Sequence, residues 1–99
     1  MSAMSVPMEV ERVARELNMP LDGLMQRSLQ AFLRQEVRAV HMDIADFQDR
    51  YGVDAAGKLH AQIEQGKVYS HPAWEDAIEW EKLEDHLKRI ESMLKDESS

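Results

Sequence analysis

The side chains with the clearest capacity for recognition lie in HPAWEDAIEWE, residues 71–81, where two tryptophans stand among four carboxylates. Large aromatic rings anchor protein interfaces, and carboxylates complement basic protein surfaces. The composition of this stretch therefore indicates a protein-binding segment. Its predicted partner-binding residues are Trp74, Glu75, Asp76, Ile78, Glu79, Trp80 and Glu81.

The two tryptophans are expected to have different roles. On a helix Trp74 and Ile78 are i,i+4 neighbours, whereas Trp80 is rotated by about 120° from Trp74 and continues into the stripe of Leu83 and Leu87. Trp80 is therefore expected to be chiefly a core residue, and Trp74 is the better partner anchor. For the carboxylates two interpretations stay open: a solvated helix face, or an electrostatic mimic of nucleic acid that blocks the basic cleft of a partner protein.

Catalysis and metal binding find little support in the residue pattern. His71, Glu75 and Glu79 follow one helical face over about 12 Å, which is too long for all three to reach one ion. The chain has no cysteine, its serines belong to no recognisable triad motif, and its four glycines form no phosphate loop. We expect a protein that is not an enzyme and that has no cofactor or metal.

Charge is distributed unevenly along the 99 residues. Residues 1–50 hold six basic and eight acidic side chains, and residues 51–99 hold six and eleven, so the net charges are −2 and −5. The second half suits a basic protein surface, and only the first half suits nucleic acid. The lack of cysteine, of a signal peptide and of a long apolar run predicts a cytoplasmic protein with no membrane contact.

Apolar spacing predicts a mainly α-helical chain whose first half is helix, turn and long helix. Val10, Val13, Ala14 and Leu17 mark a short first helix, and the turn over residues 18–20 follows it. A helix of about thirty residues then runs from Leu21 to Tyr51 and stops at Gly52. Its heptad-like seam consists of Leu33, Val37, Val40, Ile44, Phe47 and Tyr51. Part of so long a seam is expected to face a partner.

The second half is predicted to hold a short helix and a C-terminal amphipathic helix. Asp54 is the expected N-cap of the short helix, and Gly66 is its expected end. The last helix is predicted to begin at Pro72, with Ser70 or His71 as its cap. Its seam consists of Trp80, Leu83, Leu87, Ile90 and Leu94.

The stretch VARELNMPLDGLMQRSLQAFL, residues 13–33, resembles the two helices of ribbon-helix-helix proteins. That resemblance implies a homodimer, with a short strand at residues 2–6 that pairs with its copy and, in the family, enters DNA. The outward residues of this strand, Ala3 and Ser5, cannot read base edges as Arg or Asn would, so only weak operator contact is left open. The expected dimer interface consists of Met4, Val6, Val10, Val13, Leu17, Leu24, Met25 and Phe32.

Residues 44–82, with HPAWEDAIEWE as their most specific part, are similar to small bacterial and archaeal TumA-like antitoxins. The resemblance implies a division of labour between residues 1–52, a dimerisation module extended by the long helix, and residues 53–99, an acidic helical arm that holds a toxin. Two alternatives stay open. One is a ribbon-helix-helix DNA-binding regulator, and the other is a helical adaptor with no role on DNA.

Overall fold

The computed structural model describes residues 6–98, with side chains through residue 97, and this part of the chain forms helices without strands. The helices are α1 (Met8–Glu16), α2 (Leu21–Tyr51), α3 (Ala56–Glu64) and α4 (Ser70–Ser98). The prediction of a mainly helical chain is confirmed. Of the strand expected at residues 2–6, residues 2–5, including Met4, lie outside the described residues, and Val6 belongs to no regular element. None of the described helices combines the length and apolarity needed to cross a membrane.

Three helices end at residues in the left-handed backbone region, as the sequence predicts. Asn18 has φ 54°, Gly52 has φ 68° and Gly66 has φ 72°. After α1 the Met19 amide donates to the Ala14 carbonyl at 2.9 Å, and the Asn18 amide donates to the carbonyl of Arg15 at 3.2 Å. This pair of bonds is a Schellman motif, which satisfies the last carbonyls of the helix and stops it.

The beginning of α3 differs from the expectation that Asp54 caps it. Ala55 occupies the N-cap position in an extended conformation, and no side chain at that position caps the helix. Asp54 lies one residue too early and pairs with Lys58 at 2.9 Å instead. The Ala56 amide donates to Glu84 Oε2 on α4 at 3.1 Å, so a distant carboxylate takes the role of the cap.

The regular part of α4 begins at Pro72, as predicted. His71 has φ −119° and ψ 125°, which lie outside the helical region, so the chain changes direction immediately before the proline. Pro72 has no amide hydrogen to leave unpaired in the first turn, and the ring fixes a helical φ.

The chain divides into two compact units, Met1–Phe32 and Leu33–Ser99, and the boundary falls inside α2 rather than at Gly52. In the second unit the two predicted seams share one core with α3, because the apolar sides of α2 and α4 both contribute to it. The buried residues of this core are Leu33, Val40, Ile44, Ala56, Leu59, Ala73, Ala77, Trp80 and Ile90. Residues 33–51 therefore pack against α3 and α4, the helices of the acidic arm predicted over residues 53–99.

The described part of the first unit has almost no core of its own. Ala14 is the one buried residue among residues 6–32. Large apolar side chains of this unit are exposed instead, and they are Met8, Val13, Leu17, Met25, Leu29 and Phe32. Within this unit, α1 and the first three turns of α2 thus show an apolar surface that nothing in the described chain covers.

Candidate functional site

The seven residues predicted to bind a partner do not form one surface. Trp80 is fully buried and stacks on Phe47, with ring centroids 5.7 Å apart and planes inclined by 15°. Its indole nitrogen is buried and has no hydrogen-bond partner in the described chain, so Trp80 contributes apolar packing and no polar contact. Trp80 must be removed from the partner-binding set, because no partner can reach it in this fold.

Asp76 is engaged with α2. Its Oδ2 atom accepts a hydrogen bond from the Tyr51 hydroxyl and lies 2.9 Å from Arg50 Nη1. Burial raises the pKa of the Tyr51 phenol, and the hydrogen bond to Asp76 raises this pKa further. The same carboxylate raises the pKa of the Arg50 guanidinium through its hydrogen bond and its charge. The first role of Asp76 is therefore to join α2 to α4.

Glu81 is engaged with α3. Its Oε1 atom lies 2.6 Å from His60 Nε2, on the side of α4 that also carries Glu84. Together with the Glu84 bond to the Ala56 amide, this contact ties α3 to the outer side of α4. Asp76, Glu81 and Glu84 belong to one acidic run in the sequence, but Asp76 contacts α2 whereas the two glutamates contact α3.

Trp74 is the tryptophan that remains available. More than half of its surface, 55%, is exposed, and Tyr69 shortly before it is 91% exposed. Glu75 is exposed beside Trp74 and lies 3.8 Å from His71 Nδ1, while Ile78 on the next turn is half-buried. Trp74, Glu75 and Ile78 form the Trp74 surface, which a partner can contact, and Glu79 is exposed as well.

A groove between α2 and α4, with a volume of about 310 Å³, is lined by a second group of carboxylates. Phe47 and Leu83 supply its apolar part, and Arg50 supplies one positive charge. Its acidic residues are Asp43, Asp46, Asp76 and Glu79. Asp43 and Asp46 are not among the residues predicted from the sequence to bind a partner, although their positions beside Ile44 and Phe47 of the seam are the signal that could have identified them.

The described residues offer no metal centre. No group of three or more His, Asp or Glu side chains within residues 6–97 is placed so that it could hold an ion. His71, Glu75 and Glu79 are spread along α4, and only His71 and Glu75 come within 4 Å of one another.

The residues expected at the dimer interface are mostly accessible. Leu17, Met25 and Phe32 are exposed, with accessible fractions of 59%, 44% and 55%. Val13 is also exposed, whereas Val6, Val10 and Leu24 are half-buried. Met8 and Leu29, which are not among the residues expected at the interface, are exposed as well.

Comparison with known proteins places the chain in a family. A family model described as "Uncharacterized protein MJ0235 family" matches residues 4–98. This range takes in all four helices and includes both the Trp74 surface and the apolar surface of the first unit. No curated protein and no solved structure matches the chain. Because the match covers nearly all of its length, the chain belongs to the Uncharacterized protein MJ0235 family.

Proposed function

We propose that this protein is an antitoxin-like binding protein whose second unit captures and inhibits a small basic partner protein, a toxin. Residues 33–99 hold fifteen acidic and nine basic side chains, a net charge of −6, whereas residues 1–32 hold four and three. An acidic surface favours encounter with a basic cleft and opposes encounter with nucleic acid. The mechanism is steric and electrostatic occlusion of that cleft.

The observation that carries the proposal is the exposure of Trp74 beside the burial of Trp80. The Trp80 ring is enclosed in the core, whereas 55% of the Trp74 surface is in contact with solvent. Exposed tryptophans are costly in solubility and are enriched among the residues that dominate binding energy. Trp74 and Ile78 act as the apolar contact, and Glu75 and Glu79 supply the charges.

The ribbon-helix-helix part of the proposal concerns residues 1–52. It is supported by the order of the elements: α1 is followed by a Schellman turn at Asn18 and then by α2. These two helices and their turn correspond to the helical portion of a ribbon-helix-helix module. The ribbon itself would require the strand at residues 2–6, of which residues 2–5 lie outside the described residues. The charge balance of residues 1–32, near zero, is compatible with weak operator contact but does not favour it.

The test is co-expression of the full chain with the product of the neighbouring gene, in cells whose growth that product arrests. The wild-type chain is expected to restore growth and to co-purify with the product. Trp74→Ala is expected to weaken capture by about 30-fold or more, as for an interface hot spot. Tyr69→Ala, another exposed aromatic of the same segment, is the matched control and should retain capture.

Two outcomes would contradict the proposal. If Trp74→Ala and Tyr69→Ala both capture the product like the wild type, the Trp74 surface is not the inhibitor. If the product is not toxic, and the purified chain alone shifts operator DNA in a salt-dependent way, the DNA-binding regulator replaces the antitoxin. If the chain neither captures a toxin nor binds operator DNA, the remaining alternative is a helical adaptor with no role on DNA.

A further inference from the structure

The apolar surface of the first unit lies around a groove between α1 and α2. Two adjoining concavities of about 450 Å³ and 240 Å³ share Val10 and Ser28 in their walls. Met25 and Leu29 also line the larger concavity, and Val13 and Leu24 also line the smaller one. Val10, Val13, Leu24, Met25, Leu29 and Phe32 are called the α1/α2 apolar surface below.

This surface is large for a single exposed patch. Met25, Leu29 and Phe32 follow one side of α2 at i, i+4 and i+7, and about half of each side chain is exposed. Its exposed members, Val13, Met25, Leu29 and Phe32, together present on the order of 300 Å², about the area of the largest apolar patch on a typical monomer. A patch of this size on a folded protein marks an interaction site.

The first unit also lacks the means to fold without a cover. Ala14 is its one buried residue within 6–32, and α1 has nine residues, fewer than an isolated helix needs in water. A cover must therefore be present whenever the first unit is folded. A second copy of the same chain meets that requirement, because it is always available in equal amount and two-fold pairing is the commonest protein assembly.

The charge distribution also favours a second copy of the chain as the cover of this surface. Residues 1–32 have four acidic and three basic side chains, so two copies of this unit do not repel one another strongly. Residues 33–99, at −6, would oppose self-association through their own surface. Self-pairing is thus directed to the first unit, and the acidic second unit is left to a partner of opposite charge.

From these observations we infer that the α1/α2 apolar surface binds the same surface of a second copy, and that the protein is an obligate homodimer through residues 8–32. The inference does not depend on the partner of the second unit. It also does not require the N-terminal strand, since all the contacts lie on the two helices.

The test compares one substitution at two methionines of the same helix. Met25 lies in the proposed interface, and Met42 is exposed on α2 within the second unit. Sedimentation of the wild-type chain is expected to give twice the 11.4 kDa of one chain at micromolar concentration. Met25→Glu is expected to weaken the dimer by about 30-fold or more, because a carboxylate would be buried without a partner. Met42→Glu should sediment like the wild type.

A cross-linking measurement keeps the test decisive if Met25→Glu fails to fold. The natural chain has no cysteine, so Met25→Cys and Met42→Cys each introduce a single thiol. With a short bismaleimide, Met25→Cys is expected to give a covalent dimer, and Met42→Cys is expected to stay single. A monomeric wild-type chain, a dimer that tolerates Met25→Glu, or equal cross-linking at both positions would overturn the inference.

Discussion

Trp74 and Trp80 lie six residues apart on α4, and the rotation between them decides what each ring does. Trp80 is enclosed by the second-unit core and stacks on Phe47, whose ring also has the Arg50 guanidinium 5.5 Å from its centroid. Trp74 lies on another side of the same helix with most of its surface exposed. Burial therefore makes Trp80 a core residue and leaves Trp74 accessible to the proposed partner.

Single substitutions of the two tryptophans should separate these roles. Trp80→Ala is expected to lower the free energy of unfolding by about 3–5 kcal/mol, because it removes a large buried ring and leaves a cavity. Trp74→Ala is expected to change it by less than about 1 kcal/mol. Urea denaturation at one fixed chain concentration measures both values. Similar losses for the two variants would refute the assignment of the rings.

The Tyr51 hydroxyl gives a prediction for alkaline pH. Burial raises its pKa, and so does its hydrogen bond to Asp76. As pH rises, the unfolded phenol loses its proton first, near pH ~10, while the folded phenol keeps its proton. The stability that comes from the raised pKa is therefore fully present below that pH, and it is lost as pH rises toward the folded pKa.

The measurement uses the Tyr69→Phe background, in which Tyr51 is the remaining tyrosine. Absorbance of the phenolate should appear at higher pH in the folded protein than in urea. Adding Asp76→Asn should reduce this difference, because the Tyr51 hydroxyl then loses its carboxylate acceptor. Identical titration curves in the folded and the unfolded chain would contradict the described contact.

At the scale of elements, α3 depends on α4 for the beginning of its own helix. Ala55 at the N-cap has no side chain that can accept a hydrogen bond, and Glu84, 28 residues after Ala56, supplies the acceptor for the Ala56 amide. His60 and Glu81 add a second contact between the same helices. The acidic side of α4 that faces α3 is therefore structural.

Loss of the Glu84 carboxylate should be repaired by a local cap. Glu84→Ala is expected to cost about 1 kcal/mol of unfolding free energy, the usual effect of losing an N-cap. Ala55→Ser in the Glu84→Ala chain should restore most of that loss, because its hydroxyl can accept the free amides of the first turn. Thermal or urea unfolding of the single and double variants measures this. If Ala55→Ser gives no recovery, Glu84 stabilises the fold by another route.

At the scale of the whole molecule, the two units are expected to differ in how their stability depends on concentration. The second unit has its own core, whereas the first is covered only in the proposed dimer. Dilution favours dissociation by mass action, so the amides of residues 8–32 should exchange faster in dilute solution. Amides of the second-unit core, such as those of Val40 and Leu59, should exchange at unchanged rates.

Hydrogen exchange followed by mass spectrometry at two chain concentrations is the measurement. Peptides from α3 and α4 serve as internal controls, because they lie outside the proposed interface. If exchange in residues 8–32 does not respond to dilution across a range in which sedimentation shows dissociation, the first unit folds without a second copy.

Much of the helical framework follows from the sequence because its causes are local. Asn18, Gly52 and Gly66 stop helices through backbone preferences that need no distant contact, and Pro72 begins one. The seams of α2 and α4 also follow from their spacing, since residues that repeat every three or four positions share one side of a helix. The same argument predicts the burial of Trp80, and the structure confirms it.

Only the tertiary structure decided how the carboxylates are used. Sequence spacing describes one helix at a time, so it could not reveal that Asp76 meets Arg50, that Glu81 meets His60, or that Glu84 caps α3. Each of these pairs joins residues at least 21 positions apart. The sequence by itself determined the helices and the position of each side chain around its own axis. Packing between helices determined which acidic residues are engaged internally and left Trp74 exposed, because long-range contacts depend on how those helices meet.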